Sequence, residues 1–347
     1  MRRYWRFLVV VPVIAVAVAL LWWRGPDWHA VKDAFTVVRW DWVVIAIGLN
    51  LLSVVTRSLA WDTTIRQSLS PPRPGYPVVF SAFCVGLFGN AVLPGRVGEL
   101  ARVAVLRRRM PGRKGTTATL IGSVFAHRMF DLFPVIALVV WVLFAAKIPA
   151  WAYTSLAVVC GVGVALFLGA LAVARIEGRE STEGVNRLLA LLHRARQGLA
   201  VMRSPVAAAQ AAAFQFAGWF CQLLAVWAAL RAFHIYQPLA AAGLVLVLMN
   251  VVTIFPFWPG NFGLVQVAVA TPLVGYGVAY AHGFAFGVGL QAIEASVGIG
   301  IGLIFLAREG LSYATLKAFE SVAQETAAEA TTDQEDRPKR AGARVPG

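Results

Sequence analysis

Charge is scarce in this sequence. Only 14% of its 347 residues are charged and 59% are hydrophobic, whereas soluble domains carry about 25% charged residues. So little charge cannot cover a solvated surface, which excludes an ordinary soluble domain. Acidic residues are scarcer still: 17 Asp and Glu stand against 31 Lys and Arg, a net charge of +14. Cysteine is nearly missing. Cys84, Cys160 and Cys221 each lie inside an apolar stretch, with no C-x-x-C and no Cys/His ligand spacing. That excludes a disulfide framework and points to no metal and no cofactor. There is no G-x-S-x-G, no H-E-x-x-H and no P-loop, so no catalytic residue is assigned and no enzyme is expected. The basic excess would suit nucleic acid only on a soluble basic face. Here the basic residues fill the gaps between apolar runs, as in cytoplasmic loops that face anionic lipid, and no nucleic-acid partner is expected.

What the chain has in abundance is long apolar runs. A bilayer core needs roughly 20 apolar residues per helix. Six stretches qualify as spans: about 7–23, 42–61, 117–146, 151–174, 206–231 and 284–307. The first follows a basic start (Arg2, Arg3, Arg6) and ends on Trp22, Trp23 and Arg24. No small-residue cleavage site is evident, so it reads as an uncleaved span with an interfacial Trp belt.

Two further apolar stretches are broken. Residues 77–109 are interrupted at Leu93-Pro94-Gly95 and residues 239–281 at Pro256-Phe257-Trp258-Pro259-Gly260. Proline and glycine stop a helix there, and lipid tolerates the freed backbone only under cover of protein or a wet cavity. Each stretch therefore reads as a re-entrant hairpin. Arg66 and Arg73 precede the first, and Arg107, Arg108, Arg109, Arg113 and Lys114 follow it, so both flanks belong in the cytoplasm. The flanks of the second, 231–238 and 276–283, carry almost no charge and belong outside. With the Arg-rich gap 175–203 inside, the six spans alternate and both termini are cytoplasmic.

The expected fold is thus all-α: a polytopic membrane helix bundle of about six full spans plus two re-entrant broken-helix hairpins in an inverted repeat. Residues 1–317 form one membrane domain, with halves 1–147 and 148–317. A basic linker, about 175–204, places Val185, Leu188, Leu192, Ala195, Leu199 and Met202 on one helical face. It suits either the membrane surface or a solvated connection. Residues 318–347 are polar and mixed in charge and read as a disordered cytoplasmic tail. The breaks Leu93-Pro94-Gly95-Arg96-Val97-Gly98 and Trp258-Pro259-Gly260-Asn261-Phe262-Gly263 align. Inverted repeats whose broken helices meet at mid-membrane are a transporter architecture.

Ionisable residues at membrane depth are expensive, so each needs a reason. Around the first break stand Asn90, Arg96, Glu99 and Arg102. The arginines can clamp a phosphate, Glu99 can pair with either or cap the helix start, and Gly98 onward can begin a helix whose N–H groups attract an anion. In the next span, Arg128 and Asp131 are three apart and can pair, with His127 beside them. The second half offers Asn250, Thr253, Asn261, Gln266, Gln291 and Glu294. Glu294 has no charged neighbour in its own span, so it needs a partner on another helix, or a proton. Pro94, Gly95, Gly98, Pro256, Pro259, Gly260 and Gly263 are the expected structural hinges. Arg57 and Asp62 read as residues that snorkel to the interface.

The string N-x-x-L-P-G-R-x-G-E-x-x-R at Asn90 to Arg102 resembles the flippase-like family. That family includes the membrane domain of lysylphosphatidylglycerol synthases, archaeal dolichol-phosphate glycosylation proteins and hopanoid-associated membrane proteins. His127-Arg128-Met129-Phe130-Asp131 resembles its E/x-R-x-x-D, and Pro256 to Gly263 its second P-x-x-P-G-G-x-G break. The chain departs from the family pattern with Asn261 for the second glycine, Gln266 for a glutamate, and His127 before Arg128. The resemblance implies lipid translocation across the inner membrane, or a partner role beside a lipid-biosynthesis enzyme. The substrate would be a membrane phospholipid or a lipid-linked one, with an anionic or aminoacylated head group. Arg96, Arg102 and Arg128 would hold the phosphate while Glu99 and Asp131 exchange partners. An intramembrane lipid-phosphate transferase and a non-catalytic accessory protein are the alternatives. No soluble aminoacyl-transferase domain lies within these residues, so lysyl transfer is not expected.

The topology makes a direct prediction. Single cysteines introduced within 107–114 and within 231–238 should react with a membrane-impermeant thiol reagent from opposite faces; labelling of both from one face would refute the alternation.

Overall fold

The structure is a computed structural model that describes residues 26–92, 98–110, 116–147, 204–253 and 261–310, with isolated positions between 161 and 201. Expectations for spans 7–23 and 151–174, for nearly all of the linker, for the tail, and for Pro94, Gly95, Arg96, Pro256, Pro259 and Gly260 fall outside the described residues. Among those described, every regular element is a helix. Four helices are long and apolar enough to cross a membrane: α2 (Trp40–Ser68), α5 (Thr116–Ala145), α6 (Pro205–Ala232) and α9 (Tyr280–Arg308). At 1.5 Å per residue, 28 to 30 residues give roughly 42–45 Å, well over the roughly 30 Å of a hydrocarbon core. The fold is a helical membrane bundle.

The four long helices contain the expected spans 42–61, 117–146, 206–231 and 284–307 to within a residue at each end. A short helix, α1 (Trp28–Thr36), was not anticipated. Asp27 starts it by accepting from the backbone N–H of His29 at 2.9 Å, an N-cap that offsets the orphan donors of the first turn.

The two broken stretches fold as helix pairs. The first is α3 (Tyr76–Val92) and α4 (Gly98–Arg108); the second is α7 (Leu239–Thr253) and α8 (Leu264–Val274). With 11 residues each, α4 and α8 reach only about 17 Å and cannot cross a bilayer core. Both pairs run antiparallel. In the first, Asn90 bonds Gly98 near the break, Gly86 packs on Arg102, and Ser81 and Arg109 share Glu309 at the open end. In the second, Asn261 bonds Val252 near the break and Gln237 bonds Tyr276 at the open end. Each broken stretch is therefore an antiparallel helical hairpin.

The chain forms two compact units. One comprises Met1–Arg57, Met129–Ala172 and Ala212–Val297 and holds the second hairpin. Its apolar core gathers Val139, Val226, Phe233, Leu244, Leu246, Val269 and Phe286, all nearly inaccessible. Small residues bring its helices close: a Cβ on Gly283 would lie 3.1 Å from the Ala270 Cα, and one on Gly287 3.1 Å from the Gln266 Cα. The other unit comprises Ser58–Arg128, Val173–Ala211 and Gly298–Gly347 and holds the first hairpin. There Trp61, Ile65, Val79, Leu106 and Leu120 are buried.

Close approach is tightest inside the first hairpin. A Cβ on Gly98 would collide with the Gly86 carbonyl oxygen. Membrane helices gain little hydrophobic energy from association, so contact of this kind supplies the packing. Replacing Gly98 by alanine should therefore destabilise the folded protein by about 1–3 kcal/mol, the usual cost of overpacking. A thermal melt in detergent reads the loss; an unchanged melting temperature would count against this packing.

Candidate functional site

The hairpin turns are held by side chains. Asn90 Oδ1 accepts the Gly98 backbone N–H at 3.0 Å, so the first donor of α4 is satisfied by protein. In the second hairpin Gly263 caps α8 at φ 92°, a left-handed conformation that glycine adopts without penalty. Gln266 is fully buried. Its Oε1 accepts the Gly263 N–H at 2.6 Å and its Nε2 donates to Gln291 Oε1, also at 2.6 Å. Asn261, itself at φ 45°, donates from Nδ2 to the Val252 carbonyl at 3.1 Å. Asn90, Asn261 and Gln266 thus close backbone at the breaks. Asn250 donates to the Leu246 carbonyl of its own helix, and Thr253 to that of Asn250.

The first charged cluster lies in the unit that holds the first hairpin. Glu99, in the first turn of α4, takes one guanidinium from Arg102, a turn further on, and another from Arg128 of α5. A carboxylate at a helix start also faces the favourable end of the dipole. Arg102 is only 3% exposed. Its guanidinium stacks over Trp61 at 4.6 Å and faces Phe83 at 5.6 Å, contacts worth up to about 2 kcal/mol when desolvated. Trp61 is fixed by donating from Nε1 to Ser123 Oγ at 3.2 Å. His127 lies edge-on against Phe83 at 5.9 Å. Two guanidiniums meet one carboxylate here, and the Arg128 side chain is 39% exposed while Arg102 is enclosed.

The second cluster lies in the other unit, on the midpoints of the four long helices. Asp131 of α5 accepts from Arg57 of α2 at 3.3 Å and from Trp219 Nε1 of α6 at 3.1 Å. Arg57 also lies over the Trp219 ring at 5.6 Å. A Cβ on Gly218 would stand 2.5 Å from Arg57 Cγ, so this glycine makes room for the arginine. Nearby Gln222 of α6 donates to Glu294 Oε1 of α9 at 2.8 Å. The helix midpoints lie roughly 21 Å from either end, inside any placement of a hydrocarbon core.

Arg57 therefore differs from expectation. It does not reach for the interface but forms an ion pair at helix mid-length, because Asp131 and the Trp219 face lie within its reach. Asp62 does stay local, pairing with half-exposed Arg66 at 2.6 Å. Arg128 and Asp131 reach partners on other helices: Glu99 for the former, Arg57 and Trp219 for the latter. Trp61, Phe83, Trp219 and Gln222 were not singled out in the sequence. A signal existed for two of them, since tryptophan favours the membrane interface and both Trp219 and the polar Gln222 fall mid-span. Among the described residues, no group of three His, Cys, Asp or Glu side chains could hold a metal.

A bundle of long apolar helices, with broken hairpins and paired charges at helix mid-length, defines a polytopic membrane protein. The particular family is shown by sequence: the family model described as the lysylphosphatidylglycerol synthase TM region matches residues 8–302. The chain belongs to this family, which places it among multi-pass membrane proteins of lipid metabolism or transport. No curated protein and no solved structure matches it significantly.

The Arg57–Asp131 pair carries a prediction. Asp131→Asn alone should destabilise the protein, since it strands a guanidinium. Arg57→Gln together with Asp131→Asn should recover part of the loss, with a coupling of about 0.5–3 kcal/mol in a double-mutant cycle. Additive losses would show that the pair does not interact.

Proposed function

We propose that this protein moves an anionic or aminoacylated phospholipid, or a polyprenyl-phosphate-type lipid, across the bacterial inner membrane. The observation that carries this reading is the Glu99 cluster. The cluster gathers two guanidiniums at one carboxylate, and guanidinium geometry suits phosphate oxygens. Arg102, set against two neighbouring aromatic rings, is the fixed element. Arg128 is the accessible one, and Glu99 holds both guanidiniums in place until the head group competes for them. Arg96 sits in the break between these arms in sequence and is proposed to join them.

The basic flanks of the first hairpin put its open end, and both termini, on the cytoplasmic side. Family membership supports a role in lipid metabolism or transport, and the absence of a catalytic template in the sequence favours movement over chemistry. A transferase would change the mass of the lipid, whereas a translocator changes only its leaflet.

The test uses proteoliposomes containing fluorescent phosphatidylglycerol, with leaflet position read by quenching from outside. Wild type should exchange the probe between leaflets faster than protein-free vesicles. Arg128→Ala should slow the protein-dependent rate by about tenfold or more, the value of one charge-assisted hydrogen bond of roughly 1.5 kcal/mol. Equal rates for wild type, variant and empty vesicles would sink the proposal, and a lipid product of new mass would replace it with the transferase.

A further inference from the structure

The unit that holds the second hairpin carries an arginine that neither charged cluster uses. Arg231 is the last residue but one of α6, so it stands at the end of a span rather than at mid-length. Its guanidinium lies over the ring of Trp227, one turn back on α6, at 4.6 Å and over that of Tyr236 at 5.1 Å. Among the described residues it makes no ion pair, and its buried Nε has no hydrogen-bond partner. A stacked ring attracts the charge but takes none of the in-plane N–H donors, and a buried donor left unmade is costly. The residue as a whole remains partly exposed, so a ligand can reach it.

Short contacts hold the surroundings in place. The Arg39 backbone N–H donates to the Ala232 carbonyl at 2.9 Å. The Arg39 guanidinium lies over Trp42 at 5.9 Å, and Trp42 meets Trp227 edge-on at 5.7 Å. His234 sits at φ 56°, a backbone conformation that costs a residue other than glycine. Its Nε2 is 2.8 Å from the Val37 carbonyl oxygen. A carbonyl only accepts, so Nε2 carries the proton, and in the neutral ring Nδ1 accepts from the Tyr236 hydroxyl at 3.3 Å. That bond steadies the ring that covers Arg231. Arg39 is matched in charge by Asp41 at 2.6 Å, both half-exposed, which leaves the charge of Arg231 unmatched. Trp40 and Tyr236 are exposed at this end of the helices, and such aromatic residues favour the level of the lipid head groups.

We propose that Arg231, caged by Trp227 and Tyr236, binds the phosphate of an anionic phospholipid in the leaflet at this end of α6. On the topology read from the loops, that is the outer leaflet. The phosphate oxygens supply the in-plane acceptors that the rings lack, and the phosphodiester charge matches the one unmatched cation. Arg39, on the same edge, is the second cation within the cluster, restrained by Asp41. The site shares no residue with the Glu99 cluster. The inference goes beyond the translocation reading and does not rest on it, since a phospholipid can be held here whether or not the protein moves one.

The test counts phospholipids bound to the purified full chain by native mass spectrometry, with phosphatidylglycerol and phosphatidylcholine titrated separately. Wild type should hold phosphatidylglycerol more tightly than phosphatidylcholine. Arg231→Gln should weaken one phosphatidylglycerol site by about tenfold, the value of one charge-assisted hydrogen bond. The same loss should appear in an Arg128→Ala background, which sets this site apart from the Glu99 cluster. Arg231→Lys should recover only part of the affinity, because an ammonium neither stacks on the rings nor offers a planar fork. Asp41→Asn, at an exposed position, should release Arg39 and tighten binding, and it decides the matter should Arg231→Gln fail to fold. Unchanged affinity in Arg231→Gln or in Asp41→Asn would overturn the site. So would equal uptake of the two lipids by wild type. Full affinity in Arg231→Lys would replace the caged guanidinium with general interfacial charge and overturn the proposal as well. Vesicles in which wild type exchanges no lipid between leaflets would refute translocation and leave these counts standing.

Discussion

A peptide group or a charge inside hydrocarbon has no water to turn to, and this penalty organises the molecule. Long helices satisfy their own backbone, which is why α2, α5, α6 and α9 can cross a membrane unaided. Where proline and glycine stop a helix, a side chain must stand in. Asn90 serves the start of α4, Gln266 the start of α8, and Asn261 the end of α7. The polar residues at the breaks are first of all the means by which broken helices exist within lipid.

The same penalty governs the charges. Arg102 is tolerated with 3% exposure because Glu99 and two aromatic faces surround it. Arg57 is tolerated because Gly218 clears a path to Asp131 and Trp219. Glycine appears wherever such approaches are needed, between the arms of the first hairpin at Gly86 and Gly98 and between α8 and α9 at Gly283 and Gly287. Membrane helices do not gain from hiding apolar surface as soluble ones do, so close contact and polar partnership together hold the bundle.

Two polar clusters result, one in each compact unit. In one, Glu99 gathers Arg102 and Arg128; in the other, Asp131 gathers Arg57 and Trp219.

Much of this was legible in the sequence. Scarce charge and long apolar runs gave an all-helical membrane bundle, because the bilayer sets span length and forbids unpaired backbone. Proline and glycine inside apolar runs marked both hairpins, and basic loops suggested how they are oriented. The motif around Asn90 to Arg102 pointed to the family that the match to residues 8–302 then showed. The pairing of Glu99 with Arg102, three residues on, was within reach of the sequence; partnership between remote helices was not. Arg128 and Asp131 stand three apart on one helix, and the partners they find on α4, α2 and α6 lie 29, 74 and 88 residues away. Arg57 looked like an interfacial residue until Trp219 and Asp131 were placed beside it. Sequence determines which groups must find a partner, since burial cost belongs to each residue and its depth. Only the tertiary structure decides which partner that is, since electrostatic and hydrogen-bond energies depend on distances of a few ångströms between helices remote in the chain.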